Sequence, residues 1–274
     1  MLDRNVRDRV VVITGASAGI GAALAAEVAA RGGRPVLVAR REDALAKACA
    51  RCGDQALAVV GDVTRRVDHE RVRDAAIARF GHIDAWVKNA GRGITRPVSS
   101  LTDEDFDEMM LVNVKSALYG AQAILPHFRS RGAGHLVAVS SMLGRVPFAV
   151  VRSAYSAAKH ALNALMANLR MELATSDPTL HVTCVHPGVV ATEFGNNALH
   201  GGPDSRHLPN AQSVDEVAGV IADALERPQA DVYTRPGARQ MVVDYYAAPD
   251  MEIAEQAFSM GPPRRATPTF TPPR

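Results

Sequence analysis

The sequence predicts an α/β fold, a doubly wound parallel sheet of about seven strands with helices on both faces. Three observations predict it. Short apolar runs alternate with longer segments of helical period along most of the chain. The runs are nearly continuous in apolar residues, as strands covered on both faces require. Almost every unusual cluster of residues also falls just after one of these runs. That is the carboxyl edge of a parallel sheet, where ligands of open α/β folds bind.

The strand candidates are Val10–Ile13, Pro35–Ala39, Ala56–Val60, Ile83–Val87, His135–Val139, Leu180–Val185 and, more weakly, Asp231–Tyr233. Helical period fills residues 19–32, 42–52, 66–80, 103–130, 153–175 and 213–226 between them. Right-handed crossovers wind such units into one Rossmann-type sheet. No repeat at solenoid spacing interrupts the pattern. Residues 1–250 are expected to form a single dinucleotide-binding and catalytic domain, with 251–274 a mobile C-terminal extension. Within that extension Ser259–Arg274 holds Pro262, Pro263, Pro268, Pro272 and Pro273, and can bury little. Residues 195–212, with Gly195, Gly201, Gly202, Pro203 and Pro209, form a long loop and a lid candidate.

Composition narrows the function classes. Of 274 residues 47% are hydrophobic, enough for a sizeable core, and the net charge is +2. That balance gives no field suited to nucleic acid or to anionic lipid, so neither is expected as a partner. Three cysteines fit a reducing compartment, and the lone Cys49-Ala-Arg-Cys52 lacks the second pair a metal site needs, so no metal is expected. Val10–Ala26 is uncharged and follows Arg4, Arg7 and Arg9, yet Gly15, Gly19 and Gly21 break it as a signal helix. A cytoplasmic protein is expected.

After the first run stands Thr14-Gly15-Ala16-Ser17-Ala18-Gly19-Ile20-Gly21. Glycines in a strand-to-helix turn let backbone N–H groups approach a pyrophosphate at the helix N-terminus, and they also serve plain packing. The spacing is G-x-x-x-G-x-G, not G-x-G-x-x-G. About twenty residues on, an acid would bind the ribose 2′-hydroxyl of NAD. This chain offers Ala39-Arg40-Arg41, with no acid before Glu42. A guanidinium fork suits a 2′-phosphate, which favours NADP, although two arginines opening a helix are also common solvated residues. After the third run, Asp62-Val63 offers a carboxylate that could accept from an adenine amine or cap the next helix, as Thr64 could. Tyr155 and Lys159 lie at i, i+4 and share a helix face. A nearby ammonium favours the phenolate of a tyrosine whose ordinary pKa is ~10. The same spacing can be a mere surface pair.

Together these clusters resemble the short-chain dehydrogenase/reductase family, in its shorter single-domain branch, from about Arg9 to Tyr233. The motifs stand in the family's order: Thr14–Gly21, Asp62, Asn89-Ala90-Gly91, Asn113, Ser141, Tyr155 with Lys159, and Pro187-Gly188. The resemblance implies that Tyr155 is the general acid in reduction and base in oxidation. It implies that Lys159 lowers the tyrosine's pKa and holds the nicotinamide ribose, that Ser141 binds the substrate oxygen, and that Asn113 holds a water linking Lys159 to solvent. Asn89, Ala90 and Gly91 would line the middle of the cofactor cleft. Pro187, Gly188, Val190 and Thr192 would line its nicotinamide end. Two departures stand out. Lys88 replaces the first asparagine of the family's Asn-Asn-Ala-Gly, and its ammonium is expected to reach solvent or a partner. Ser141 lies fourteen residues before Tyr155 where the family has thirteen, with Ser140 as the fallback.

The activity implied is hydride transfer between NADPH and a ketone or aldehyde, or the reverse on an alcohol. Pocket candidates are Gly93, Ile94, Leu143, Phe148 and Phe194; with Val146 and Val150 they suggest an apolar or aromatic carbonyl compound. His186 either touches substrate or is an ordinary strand-end histidine. A non-catalytic dinucleotide sensor or scaffold on the same fold is the alternative. An epimerase or dehydratase of the extended branch would need more chain. By resemblance, helices near 112–130 and 153–175 pair subunits into a homodimer or homotetramer, and alanine faces permit close approach.

Overall fold

Alternation along the strands divides the apolar core into two layers. Val10 and Val12 of the first strand point into one layer, Val11 and Ile13 into the other. The same division repeats at Val36 and Leu37, and at Trp86 and Val87. A computed structural model describes residues 5–258, and in it these strands form one sheet. They are β1 (Val10–Thr14), β2 (Arg34–Ala39), β3 (Leu57–Val60), β4 (Ala85–Lys88), β5 (Gly134–Val139), β6 (Leu180–His186) and β7 (Asp231–Tyr233). All pairs are parallel, in the order β3-β2-β1-β4-β5-β6-β7. The chain moves outward from β1 to β3 and then returns to β4 beside β1. That reversal opens a crevice between the carboxyl ends of β1 and β4.

Helices cover both faces. α1 (Gly19–Ala30), α2 (Glu42–Ala50) and α7 (Val214–Glu226) bury Leu24, Leu45 and Ile221 against one face. α3 (Arg66–Phe80), α5 (Ser116–Arg131) and α6 (Ser153–Ser176) bury Val72, Phe128 and Met166 against the other. Helix ends follow local chemistry. Ser213 and Glu216 form a capping box on α7, and Thr102 and Asp105 form one on α4 (Asp103–Met110). Gly81 and Gly132 close α3 and α5 in the left-handed region, at φ +81° and +64°.

The continuous helix expected over 103–130 is interrupted. Between α4 and α5 the turn widens to a π-helix at Leu111–Lys115. Asn113 lies in that wide turn, and its side-chain amide donates to Met109 O of the preceding turn at 3.0 Å. Such bulges cluster at functional sites, and helical periodicity does not reveal them.

The C-terminal expectation changes too. Two further helices follow β7, α8 (Ala238–Ala247) and α9 (Met251–Phe258). The extension expected from residue 251 therefore begins as a helix, whose Ala254 is buried with Tyr245 and Val146. The proline-rich stretch Ser259–Arg274 lies outside the described residues. Residues 195–212 carry a short 3-10 turn at Ser205–His207 and single bridges at Leu199 and Gln212.

Gly134 opens β5 directly beneath the buried ring of Phe128, and a Cβ there would stand well inside contact distance of the ring. Gly134→Ala should therefore cost about 1–3 kcal/mol by overpacking. The measurement is the urea midpoint, expected to fall at unchanged slope.

Candidate active site

The crevice is built on Thr14, the last residue of β1. Its buried hydroxyl donates to Val87 O at 3.3 Å and accepts the N–H groups of Asn89 and Ala90 at 3.0 and 3.1 Å. Asn89 Nδ2 donates back to Thr14 O at 2.9 Å and Gly15 O at 3.3 Å. These bonds fasten the glycine turn after β1 to the turn after β4.

The turn itself is shaped for an approaching ligand. Gly15 and Gly19 hold φ of +68° and +55°, which other residues rarely adopt. A Cβ on Gly15 would lie 2.8 Å from Ala90 Cα, and one on Gly21 would strike Gly15 O. Ala18 begins α1 with no side-chain cap, and the first turn, which includes Ile20, holds no acid. Its N–H groups and dipole are thus presented to an anion. Thr192 Cγ2 would lie 3.3 Å from a Cβ on Gly19, so the loop after β6 closes beside the turn. Buried Val190 anchors that loop through a bridge to Gln212. These residues fit a dinucleotide, because the uncapped first turn of α1 presents its N–H groups beside a turn that only glycines can pack so closely.

At the ends of β2 and β3 the charged residues converge on the same turn. Arg41 Nη2 donates to Ser17 Oγ at 3.3 Å, and exposed Arg40 lies 4.0 Å from Asp62 Oδ2. Asp62 Oδ1 accepts the N–H and hydroxyl of Thr64 at 2.9 and 2.8 Å. The helix α3 begins with Arg65 as its cap residue, so neither Asp62 nor Thr64 is its N-cap. Val63 is held by its carbonyl, 2.8 Å from His69 Nε2.

Four polar side chains meet on the other side of the crevice. Ser141 caps the 3-10 turn Met142–Gly144, its Oγ accepting Leu143 N–H at 3.1 Å, and it stands beside Tyr155, whose phenolate it favours. Ser140 instead buries its hydroxyl without a partner, so alternation along the strand end aims Ser141 at the tyrosine. The extra residue before Tyr155 is absorbed in the loop. Lys159 Nζ lies 5.5 Å from the Tyr155 ring centre and donates to Val139 O at 2.9 Å. Asn113 is fully buried; its amide donates to Arg92 O and Met109 O, and its Oδ1 accepts Arg92 N–H. A Cβ on Gly91 would lie 2.9 Å from Asn113 Oδ1 and 3.7 Å from Lys159 Nζ, which places the three groups together.

Burial rules the protonation of this pair. Desolvation pushes the Tyr155 phenol up to about 12, against the hydrogen bond from Ser141 and the charge of Arg152, which lower it. Desolvation likewise brings Lys159 down to about 7. The expected lowering of the tyrosine by Lys159 is thus outweighed, and the cation that acts on the phenol here is Arg152.

Ile94, Leu143 and Phe194 pack around Tyr155, with the Phe194 and Tyr155 rings 5.4 Å apart. Gly93 adjoins Phe194 Cε1, to which a Cβ there would come within 2.8 Å. Pro187 O accepts Met142 N–H at 2.9 Å, and Gly188 lies against the Arg235 side chain. Three pocket expectations change. Phe148 is exposed and stands outside this cluster, and Val146 turns toward Tyr245 and Ala254. Val150 is exposed. His186 is fully buried, bonded through Nε2 to Asp231 at 3.0 Å and stacked on Tyr233, the ordinary strand-end role. Sequence reasoning missed Arg152 and Thr95, whose place beside the pocket depends on loops folding together. The available signal was an arginine one helical turn ahead of Tyr155.

Lys88 corrects an expectation directly. Its ammonium reaches neither solvent nor a partner: the residue is 3% exposed and Nζ is buried without a hydrogen bond. Desolvation, and then the charge of Lys159, hold its pKa well below the ordinary lysine value.

The family model described as short chain dehydrogenase matches residues 9–201. The chain belongs to that family. An uncharacterized oxidoreductase of Listeria monocytogenes is 33% identical over 232 residues, covering 82% of this chain and 93% of the relative. An alcohol dehydrogenase from Thermococcus sibiricus, solved with 5-hydroxy-NADP, is 28% identical with a TM-score of 0.72 over 82% of this chain and 95% of that one. A short-chain dehydrogenase/reductase from Burkholderia phymatum, solved with NAD, shares the fold at 22% identity, with a TM-score of 0.81 over 91% and 98%. This short-chain dehydrogenase is thus an oxidoreductase on the family's Rossmann fold.

Replacing Lys88 by Met tests the buried amine. An amine whose pKa is lowered by folding takes up a proton on unfolding between the two values, so its cost grows as pH falls from the ordinary lysine value toward the lowered one. Lys88→Met should raise the melting temperature at pH 7, and its advantage over the wild type should shrink as pH approaches ~10. An advantage that stays constant across that range would contradict the lowered pKa.

Proposed function

We propose that this short-chain dehydrogenase is an NADP-preferring oxidoreductase that moves hydride between NADPH and a ketone or aldehyde, or in reverse from an alcohol. The observation that carries the reading is the meeting of Ser141, Tyr155, Lys159 and Asn113 beside a glycine turn shaped for a dinucleotide. When bound, the nicotinamide supplies or accepts the hydride.

The chain's own groups do the rest. Ser141 holds the substrate oxygen, and Tyr155 gives that oxygen its proton as the carbonyl carbon gains hydride. A phenol kept protonated by burial suits the reducing direction at neutral pH. Lys159 returns a proton to the tyrosine and grips the nicotinamide ribose, and Asn113 leads from it toward solvent. Support for NADP is the pair Arg40 and Arg41, set beside Ser17 and Asp62 with no acid at the end of β2. Asp62 and Val63 take the adenine, Asn89 to Gly91 the middle of the cofactor, and Pro187, Gly188, Val190 and Thr192 its nicotinamide end. Ile94, Leu143 and Phe194 suit a substrate with an apolar body.

Two further placements belong to this reading. Among the described residues no helix is long and apolar enough to cross a membrane, and the three cysteines are unpaired. A cytoplasmic setting agrees with both. Ala157, Ala164 and Met171 are exposed on α6 at seven-residue spacing, a face suited to a homodimer or homotetramer. Sedimentation velocity at micromolar concentration should show an assembly, and a monomer throughout would refute it.

Titration followed by nicotinamide fluorescence should show NADPH binding much tighter than NADH. Equal binding would overturn the role of Arg40 and Arg41. Tyr155→Phe should lower kcat by about 10²–10⁴-fold while dinucleotide binding persists. Lys159 carries its proton below about 7 and loses it above. The rate of carbonyl reduction should therefore decline as pH rises past that value, with alcohol oxidation moving the opposite way.

A further inference from the structure

Ser141 and Tyr155 stand at the two ends of one connection. Ser141 follows β5 and caps a 3-10 turn, Tyr155 lies in the first turn of α6, and Met142–Ala154 runs between them. A connection of that length does not fix the distance between its ends, since closure cost changes slowly with loop length. Ser141 also lies fourteen residues before Tyr155, one more than the family spacing. Contacts from elsewhere in the fold must therefore set where the serine hydroxyl stands relative to the phenol.

One such contact comes from α6. Asn163 stands one helical turn beyond Lys159 and two beyond Tyr155, so the three share a face. Its Nδ2 donates to Gly144 O at 2.7 Å, in the turn that Ser141 caps. The approach is close enough to require glycine. A Cβ on Gly144 would lie 2.8 Å from Asn163 Nδ2 and 2.9 Å from both the carbonyl carbon and the Cβ of Lys159. Asn163 is buried, and its Oδ1 has no hydrogen-bond partner. A half-satisfied amide in the interior costs stability that an apolar residue would not. What the amide supplies in exchange is the bond to Gly144 O.

The next residue of the turn is held by other elements. Arg145 closes the turn by donating its N–H to Met142 O at 2.9 Å. Its guanidinium donates to Asp231 Oδ1 on β7 at 2.6 Å, and its carbonyl accepts from Tyr246 OH of α8 at 2.9 Å. Met142 N–H donates to Pro187 O at 2.9 Å, beside His186, whose Nε2 shares Asp231 Oδ1 at 3.0 Å. Gly144 is thus fastened to α6, and Arg145 to β7 and α8.

We propose that Asn163 and Arg145 are positioning residues for the reaction: by gripping adjacent residues of the Ser141 turn, they hold the serine hydroxyl at its working distance from Tyr155. The proposal rests on the oxidoreductase reading above, and neither residue touches substrate or cofactor in it.

The test uses the full chain, with 1-phenyl-1,2-propanedione as the carbonyl probe and whichever dinucleotide binds. Asn163→Ala and Arg145→Gln should each lower kcat by about tenfold to a hundredfold, with little change in KM or dinucleotide affinity. Arg145→Lys, which can still pair with Asp231, should recover part of the loss. In a Ser141→Ala background the same substitutions should lower kcat little further, because the hydroxyl they position is gone. Full losses in both backgrounds would overturn the proposal, since they mark damage elsewhere. Variants that melt earlier yet keep the wild-type kcat would overturn it too, by showing support of the fold alone.

A second readout needs no turnover. With tyrosine isotopically labelled at Cζ, the Tyr155 NMR resonance is assigned by its absence in Tyr155→Phe. It should move in Ser141→Ala. Asn163→Ala and Arg145→Gln should move it the same way when Ser141 is present, and leave it unmoved in Ser141→Ala. A resonance indifferent to both substitutions overturns the clamp. A wild type that does not reduce the probe while these shifts appear keeps the clamp and counts against the carbonyl reading of the function instead.

Discussion

Everything at the crevice hangs on the hydroxyl of Thr14. It bonds to Val87 O, Asn89 N and Ala90 N, while the Asn89 side chain returns to Thr14 O and Gly15 O. Neighbouring strands that diverge at a switch point have no ladder bonds left to hold their trailing turns. Here one buried side chain replaces the ladder on each side. The glycine turn and the Asn89–Gly91 turn therefore keep a fixed separation, and Gly15 can pack directly against Ala90. The placement of α1, of Arg41 beside Ser17, and of Gly91 beside Lys159 and Asn113 follows from that one spacing.

A second constraint is dryness. Tyr155, Lys159 and Lys88 lie under low-dielectric walls, so burial outweighs charge in setting their protonation. The charge of Lys159 adds to burial in lowering Lys88. Local satisfaction differs between them: Lys159 has Val139 O, and Lys88 has no partner. A group held so is a cost to folding that the surrounding core must offset.

The loop after Ser141 is braced from behind. Val146 packs on Tyr245 and Ala254, Tyr246 OH donates to Arg145 O at 2.9 Å, and Arg145 pairs with Asp231, which also holds His186. The C-terminal helices thus grip the segment that presents Ser141 and Leu143. That division of labour leaves Phe148 and Val150 exposed on the outer side, and it explains why apolar residues of one loop face three different surroundings.

Periodicity and punctuation were enough for the seven strands and most helices, because each parallel strand is apolar on both faces and each turn carries its own glycine or cap. The motif residues were legible for the same reason, since Thr14 to Gly21, Asn89 to Gly91, and Tyr155 with Lys159 are local in sequence. The π-turn at Leu111–Lys115 was not, because it keeps a helical composition while shifting one backbone register. The choice of Ser141 over Ser140 was read from alternation at the strand end, and Ser140 does bury its hydroxyl without a partner. The amino-acid sequence by itself determined the sheet, its two-layer core and the edge at which the unusual residues gather. Only the tertiary structure decided that Lys88 is sealed, that Val146 leaves the pocket and that Arg152 enters it, because burial and counter-ions are properties of segments that meet in space.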